Sequence, residues 1–328
     1  MKRVAVVAAV VTAIALIGPA AWAAPPSPGG VKTLRTFDPN AGQNPENLAV
    51  DKQGRIYIAF PFTGELRRED PDGSEHVVAH LPTENGFGPL GVAIDAPGTV
   101  YVDDVTFDAS TQGVYRVDPS SGEFQRIPGT EAIQLANGIT FDDRGTLYVT
   151  DSIAGSVWRI PKGGSAELWV QDELLAGDNS GPLPFPIGAN GIAYRHRTMY
   201  VNNSEKGSIV SIPVAADGSA GTPNVLAQDP ALGGADGLAM DVHGNLYVAA
   251  LPQSSIVRVS PDGSSITQIA SGNDGLDFAS GVAFGNGKGD RTTLYIVNFS
   301  VGPLFGAPRT FGPALLAMDV GVPGLPQP

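Results

Sequence analysis

The chain has 328 residues, with 42 Gly, 28 Pro and no Cys, and only 16% of its residues are charged against 42% hydrophobic. The absence of cysteine excludes disulfides, thiolate metal sites and a thiol nucleophile, and a net charge of −13 with no basic stripe argues against a nucleic-acid partner. Enough apolar residues for a core, with frequent Gly and Pro, predict many short strands joined by turns. Lys2 and Arg3 open the chain, residues 4–18 form an apolar run broken only by Thr12, and Pro19 and Ala21-Trp22-Ala23 follow. A run of about 15 residues is short for a membrane span of about 20. Residues 1–23 therefore read as a signal peptide, cleaved after Ala23 or Ala24. An uncleaved N-terminal anchor is the alternative. Cleavage leaves residues 24–328 secreted or periplasmic, with no membrane span expected in the mature form and a net charge near −15 once Lys2 and Arg3 are gone.

Residues 31–37 read as an isolated strand, and six repeats follow. Each has a polar or small residue, usually Gly next, an apolar run, a turn, then an apolar-Tyr-apolar strand. Asn137-Gly138-Ile139-Thr140-Phe141-Asp142 with Leu147-Tyr148-Val149 is typical. The repeats begin at Glu46, Leu90, Asn137, Asn190, Asp236 and Ser280, at spacings of 44, 47, 53, 46 and 44. A period near 45 with short strands predicts four-stranded blades. The Asp-Gly pairs in Pro71-Asp72-Gly73 and Pro261-Asp262-Gly263 suit tight hairpins between the outer strands. The expected fold is all-β, a six-bladed β-propeller. The sixth repeat supplies only three strands, so residues 31–37 are expected to complete it and close the ring.

In a propeller the first strand of each blade lines the central channel, so the six leading residues converge at one mouth, here called the top. Four of them, Glu46, Asn137, Asn190 and Asp236, offer carboxylate or amide oxygens. Two carboxylates and two amide carbonyls suit a hard cation such as Ca²⁺, which takes about six to eight oxygen ligands. The alternative is that Asn-Gly and Asp-Gly are merely turn residues. Against it, the tight turn of each blade falls later, as at Asp142-Asp143-Arg144-Gly145.

These residues give the chain its resemblance to the family of senescence marker protein 30, gluconolactonase and luciferin-regenerating enzyme, and more distantly to paraoxonases and diisopropyl fluorophosphatase. The resemblance implies Ca²⁺ or another divalent ion held by Glu46, Asn137, Asn190 and Asp236, with Asp236 also the catalytic general base. The chain departs from the family at three places. Sugar-lactone members carry Arg and Asp where Leu135 and Gly138 stand, and paraoxonases carry a catalytic His where Leu90 stands. The resemblance therefore implies a metal-dependent hydrolase of a small-molecule lactone or ester less polar than a sugar lactone, acting as a monomer. A non-enzymatic propeller with a structural cation is one alternative, and a strictosidine-synthase-like enzyme is another.

No G-x-S-x-G elbow occurs. His196 and His243 fall in turns at the opposite mouth, and His76 and His80 on an outer strand. Asp103, Asp104, Asp151, Asn202, Asn203 and Asn298 end second strands and so point to the top, either as turn residues or as contacts to the site. Two long top-face loops, residues 171–188 and 299–313, are expected to be lids or binding loops.

Overall fold

The computed structural model describes residues 29–326, so the signal-peptide segment lies outside the described residues. Six antiparallel four-stranded sheets are arranged as blades, with only short 3₁₀ turns between them. The innermost strands are Leu48–Val50, Pro89–Ile94, Ala136–Phe141, Ala189–Arg195, Ala235–Met240 and Ala279–Phe284.

Two side-chain rules explain the repeat. The Asp that closes the apolar run in blades 1, 2, 3 and 5 ties the following turn: Asp142 Oδ1 accepts from the N–H groups of Arg144 and Thr146, at 2.9 and 2.8 Å. Asp51 and Asp241 do the same in their blades. The Tyr of the second strand returns to that carboxylate, as Tyr101 Oη does to Asp95 and Tyr247 Oη to Asp241, both at 3.2 Å. Tyr57, Tyr148 and Tyr247 are among the largest fully buried side chains, so their rings fill the blades while their hydroxyls lie near the turns.

The core lies between blades rather than within one. Tyr57, Ala59 and Leu66 of the first blade pack with Val92, Ile94 and Val102 of the second, and the same pattern continues around the ring. Closure follows the sequence expectation: Lys32–Thr36 is the outer strand of the sixth sheet, paired antiparallel with Ala314–Asp319. Phe37 then crosses to blade 1, where its ring meets Phe60 edge-on at 5.0 Å, and Arg35 Nε pairs with Glu69 at 2.5 Å. At the bottom face Leu325 N–H donates to Met240 O, which lays the end of the chain beside the channel mouth.

Candidate functional site

The donor side chains are aimed by a bulge. In blade 3, Ala136 pairs with Asp151 but Ile139 pairs with Val149, so one extra residue is accommodated around Asn137-Gly138. The same shift occurs in blades 2, 4, 5 and 6. Bulges re-aim side chains and recur beside functional sites. Blade 1 differs. No Gly follows Glu46, the regular strand begins only at Leu48, and Glu46 is held by its N–H donating to Ala59 O at 2.9 Å.

Close approach explains the Gly that follows five of the six leading residues. A Cβ at Gly237 would lie 2.6 Å from Ser280 O, and one at Gly281 would lie 2.9 Å from Glu46 O. At Gly91, Gly138 and Gly191 it would strike the main-chain oxygen of Asn137, Asn190 and Asp236. Every leading residue but Leu90 thus packs its carbonyl against the glycine of the preceding blade. Ser280 adds a hydroxyl donated to Glu46 O at 2.6 Å, joining the last blade to the first.

Glu46, Asn137, Asn190 and Asp236 are 4, 7, 5 and 7% exposed, so all four lie in low dielectric. Glu46 Oε2, Asn137 Oδ1 and Asn190 Oδ1 are buried without a hydrogen-bond partner. In folded proteins roughly 90% or more of such atoms are paired. Asn190 is oriented from behind: its Nδ2 donates to Ser204 Oγ at 3.1 Å, leaving Oδ1 free. Burial, then the charges of Asp236 and Asp103, push the Glu46 carboxyl well above its ordinary range. Burial likewise raises Asp236 to about 7. None of the side-chain ion pairs among the described residues reaches Glu46, Asp103 or Asp236. No three His, Cys, Asp or Glu side chains among the described residues form a metal-holding cluster, and two of the four donors here are amides. Unpaired hard oxygens and excess negative charge in a buried ring fit a divalent cation.

The second strands add contacts that side-chain type alone does not reveal. Thr150 Oγ1 accepts from Gly138 N–H at 2.8 Å and donates to Asn190 O at 2.7 Å. Asn202 makes the same bridge in blade 4, from Gly191 N–H at 2.9 Å to Asp236 O at 2.6 Å. Asp103 is the counterpart in blade 2, beside Gly91 and Asn137 O, and neither of its oxygens has a partner. Burial, then the neighbouring Asp104, push its carboxyl well up. The Asp103 carboxyl can donate to Asn137 O only after taking up a proton, whereas an amide donates without one. Asp103→Asn is therefore expected to stabilise the chelator-treated protein by about 1 kcal/mol, read as a higher Tm near neutral pH. A lower Tm would overturn this account of the bridge. By contrast, Asp151, Asn203 and Asn298 bond to the main chain of the top loops, which is turn chemistry.

The two long loops are tied down by carboxylates. Glu205 accepts from the N–H groups of Asp178, Asn179 and Ile187. Asp277 Oδ2 accepts from Thr310, Phe311 and Gly312 N–H at 2.8–3.0 Å and from Ser300 Oγ at 2.8 Å. Burial alone would raise the Asp277 carboxyl, but these donors outweigh it and hold it below its ordinary range. A depressed carboxylate stabilises above its unfolded pKa, and that stability is lost as pH falls through the folded value. The 299–313 loop is thus expected to loosen in acid, and faster proteolysis within it at acid pH than at neutral pH, with an acid-tolerant protease, checks this.

A cavity of about 860 Å³ occupies the channel below the donor ring, between Asn47, Gly138, Gly191 and Gly237 above and Asp142, Tyr194 and His196 below. It does not contain the four donor side chains. Asp95 and Asp142 at its lower mouth are consumed by their own turns. The unpaired oxygens, not this channel, mark the chemistry.

Residues 187–300 match the sequence family described as SMP-30/Gluconolactonase/LRE-like region, and residues 32–61 match one described as Strictosidine synthase-like, N-terminal. The diisopropyl-fluorophosphatase of Loligo vulgaris is 27% identical over 247 residues, covering 66% of this chain and 75% of that protein. The calcium-binding protein regucalcin of Agrobacterium tumefaciens superposes with a TM-score of 0.67 at 16% identity, covering 92% of this chain and 96% of the other. A gluconolactonase of Xanthomonas campestris superposes with a TM-score of 0.65 at 18% identity, covering 94% and 99%. At those identities the two structures speak for the fold alone. In sequence, residues 187–300 resemble the SMP-30/gluconolactonase/LRE-like family, and the ring as a whole shares the fold of these solved structures.

Proposed function

We propose that the protein is a divalent-cation-dependent hydrolase of a small-molecule lactone or ester, with Ca²⁺ as the expected ion and Glu46, Asn137, Asn190 and Asp236 as its ligands. The observation that carries the reading is the ring of buried, unpartnered oxygens on Glu46, Asn137 and Asn190 beside the Asp236 carboxylate. The sequence relatives support the reaction class, since a diisopropyl-fluorophosphatase is among them and residues 187–300 match the SMP-30/Gluconolactonase/LRE-like region.

A bound cation in this ring supplies electrophilic stabilisation of charge developing on the carbonyl oxygen. The remaining work belongs to the chain. Asn137 and Asn190 present neutral oxygens and leave the net charge of the ring to Glu46 and Asp236. Asp236 takes the proton of the attacking water on its carboxylate. Gly138 and Leu135 present no group that could grip sugar hydroxyls, which favours a substrate less polar than a sugar lactone. Export through the N-terminal segment is part of this proposal, with action outside the cytoplasm as a monomer.

Ca²⁺ added to chelator-stripped protein is expected to bind with measurable heat and to raise Tm. A ligand at a hundredfold over Kd stabilises the folded state by about 2.7 kcal/mol. Hydrolysis across a panel of lactones and aryl esters should appear with Ca²⁺ and vanish with chelator. A silent titration with an unmoved Tm overturns the cation site, and metal binding without turnover of any substrate overturns the hydrolase.

A further inference from the structure

We infer that the substrate carries an aromatic ring or a long alkyl chain, and that an arc of phenylalanines on the top face holds this apolar part beside the donor ring. The inference rests on the hydrolase reading above and names its substrate class. Five rings far apart in sequence form one chain of contacts. Phe185 meets Phe107 at 5.9 Å, Phe107 meets Phe87 at 6.5 Å, Phe87 meets Phe62 at 5.7 Å, and Phe62 stacks on Phe299 at 5.6 Å. All five lie on connections at the top: those entering blades 2 and 4, and those after the second strands of blades 1, 2 and 6.

Both ends of the arc run into the site. Phe87 and Phe185 pack on the cluster containing Leu90, the leading residue of blade 2, and Leu135, two residues before Asn137. At the other end Phe299 O accepts from Asn44 Nδ2 at 2.7 Å, two residues before Glu46.

The arc is not closed core. Phe107, next to the Phe185 end, is 46% exposed, and Phe62, Phe87 and Phe185 are only half-buried. Contiguous apolar surface left in water marks a binding site, and each square ångström covered is worth about 25 cal/mol. Aromatic rings offer faces and edges to an aryl group at 4.5–7 Å between centroids in roughly the geometry the arc already uses. The surface is held in place: Glu205 fixes Ile187, two residues after Phe185, and Asp277 fixes the loop that follows Phe299. A wall already ordered loses little freedom when substrate arrives.

The test is a size series on Ca²⁺-loaded protein. kcat/KM is measured for γ-butyrolactone, γ-octalactone, γ-dodecalactone and dihydrocoumarin, with gluconolactone as the polar control. The expected result is a rise of at least about tenfold from γ-butyrolactone to γ-dodecalactone, carried mostly by KM. Phe107→Ser, at an exposed position, should remove most of that rise, lowering kcat/KM for γ-dodecalactone and dihydrocoumarin far more than for γ-butyrolactone. A flat series, or equal losses for small and large substrates in the variant, overturns the inference. Binding of 2-naphthol, followed by ligand-observed NMR, separates this from the reaction itself. If no lactone is hydrolysed, saturable naphthol binding that Phe107→Ser abolishes upholds the arc while the hydrolase reading fails. Absence of binding to the native protein overturns the arc.

Discussion

Asp236→Asn protein, saturated with Ca²⁺, is expected to lose hydrolytic activity by about 10² to 10⁴, the range that a positioned base contributes. Asn keeps an oxygen and nearly the same volume, so the ring and its packing against Gly191 survive. The substitution removes the proton acceptor and one of the two formal charges of the tetrad. Burial raises the Asp236 carboxyl of the metal-free ring to about 7, and a bound cation opposes that rise by favouring the ionised form, which is the form a base requires. Asn190→Asp is the control. It retains an oxygen, adds a charge, and should hold the ion at least as tightly while losing less activity. Metal content of both variants must be matched before rates are compared. An ion-loaded Asp236→Asn enzyme turning over at near-normal rate would remove Asp236 from the base role and direct attention to Glu46 or Asp103.

Deleting residues 31–37 is expected to lower Tm by roughly 10 °C or more, and to render much of the protein insoluble. The deletion strips the outer strand from the sixth blade and leaves the edge at Ala314–Asp319 unpaired. It also removes Phe37 from the cluster with Leu48, Ile58, Phe60 and Leu315 that joins the last blade to the first. Loss of one buried Phe alone costs about 3–5 kcal/mol, against a total stability of about 5–15 kcal/mol. Phe37→Ala separates the two contributions: it keeps the strand and should show part of the loss. A truncated protein that melts with the native one would mean that the ring is held shut by other contacts.

The fold was legible because its repeat has a local cause. The Asp that ties the turn in four of the six blades, the Tyr that returns to it, and the Gly that admits a neighbouring carbonyl in five recur at nearly fixed offsets. The closing strand was legible for the opposite reason, since residues 31–37 had no partner within their own repeat. The leading residues could be placed at one mouth from topology alone, and the structure sets them in one contiguous ring. What stayed hidden depends on which loops meet. Asp103 stands out only once Thr150 and Asn202 are seen bridging in the neighbouring blades. The tethers at Glu205 and Asp277 grip main-chain N–H groups, which carry no residue signature, and they hold in place the loops expected to be lids or binding loops. The phenylalanine arc joins residues from 62 to 299 through contacts between connections.

Ring closure also has a kinetic consequence. Lys32 pairs with Ala317, so the outermost and middle strands of one sheet lie 285 positions apart in the chain. Contacts of such separation close late and slowly. Blades 1 to 5 can each form as their own residues emerge, but the sixth must wait for almost the whole polypeptide. Until then Lys32–Thr36 is an unattached strand and blade 1 presents a bare flank. The slowest refolding phase should therefore be the docking of this strand, and it should quicken on circular permutation that places residues 29–37 directly after residue 326.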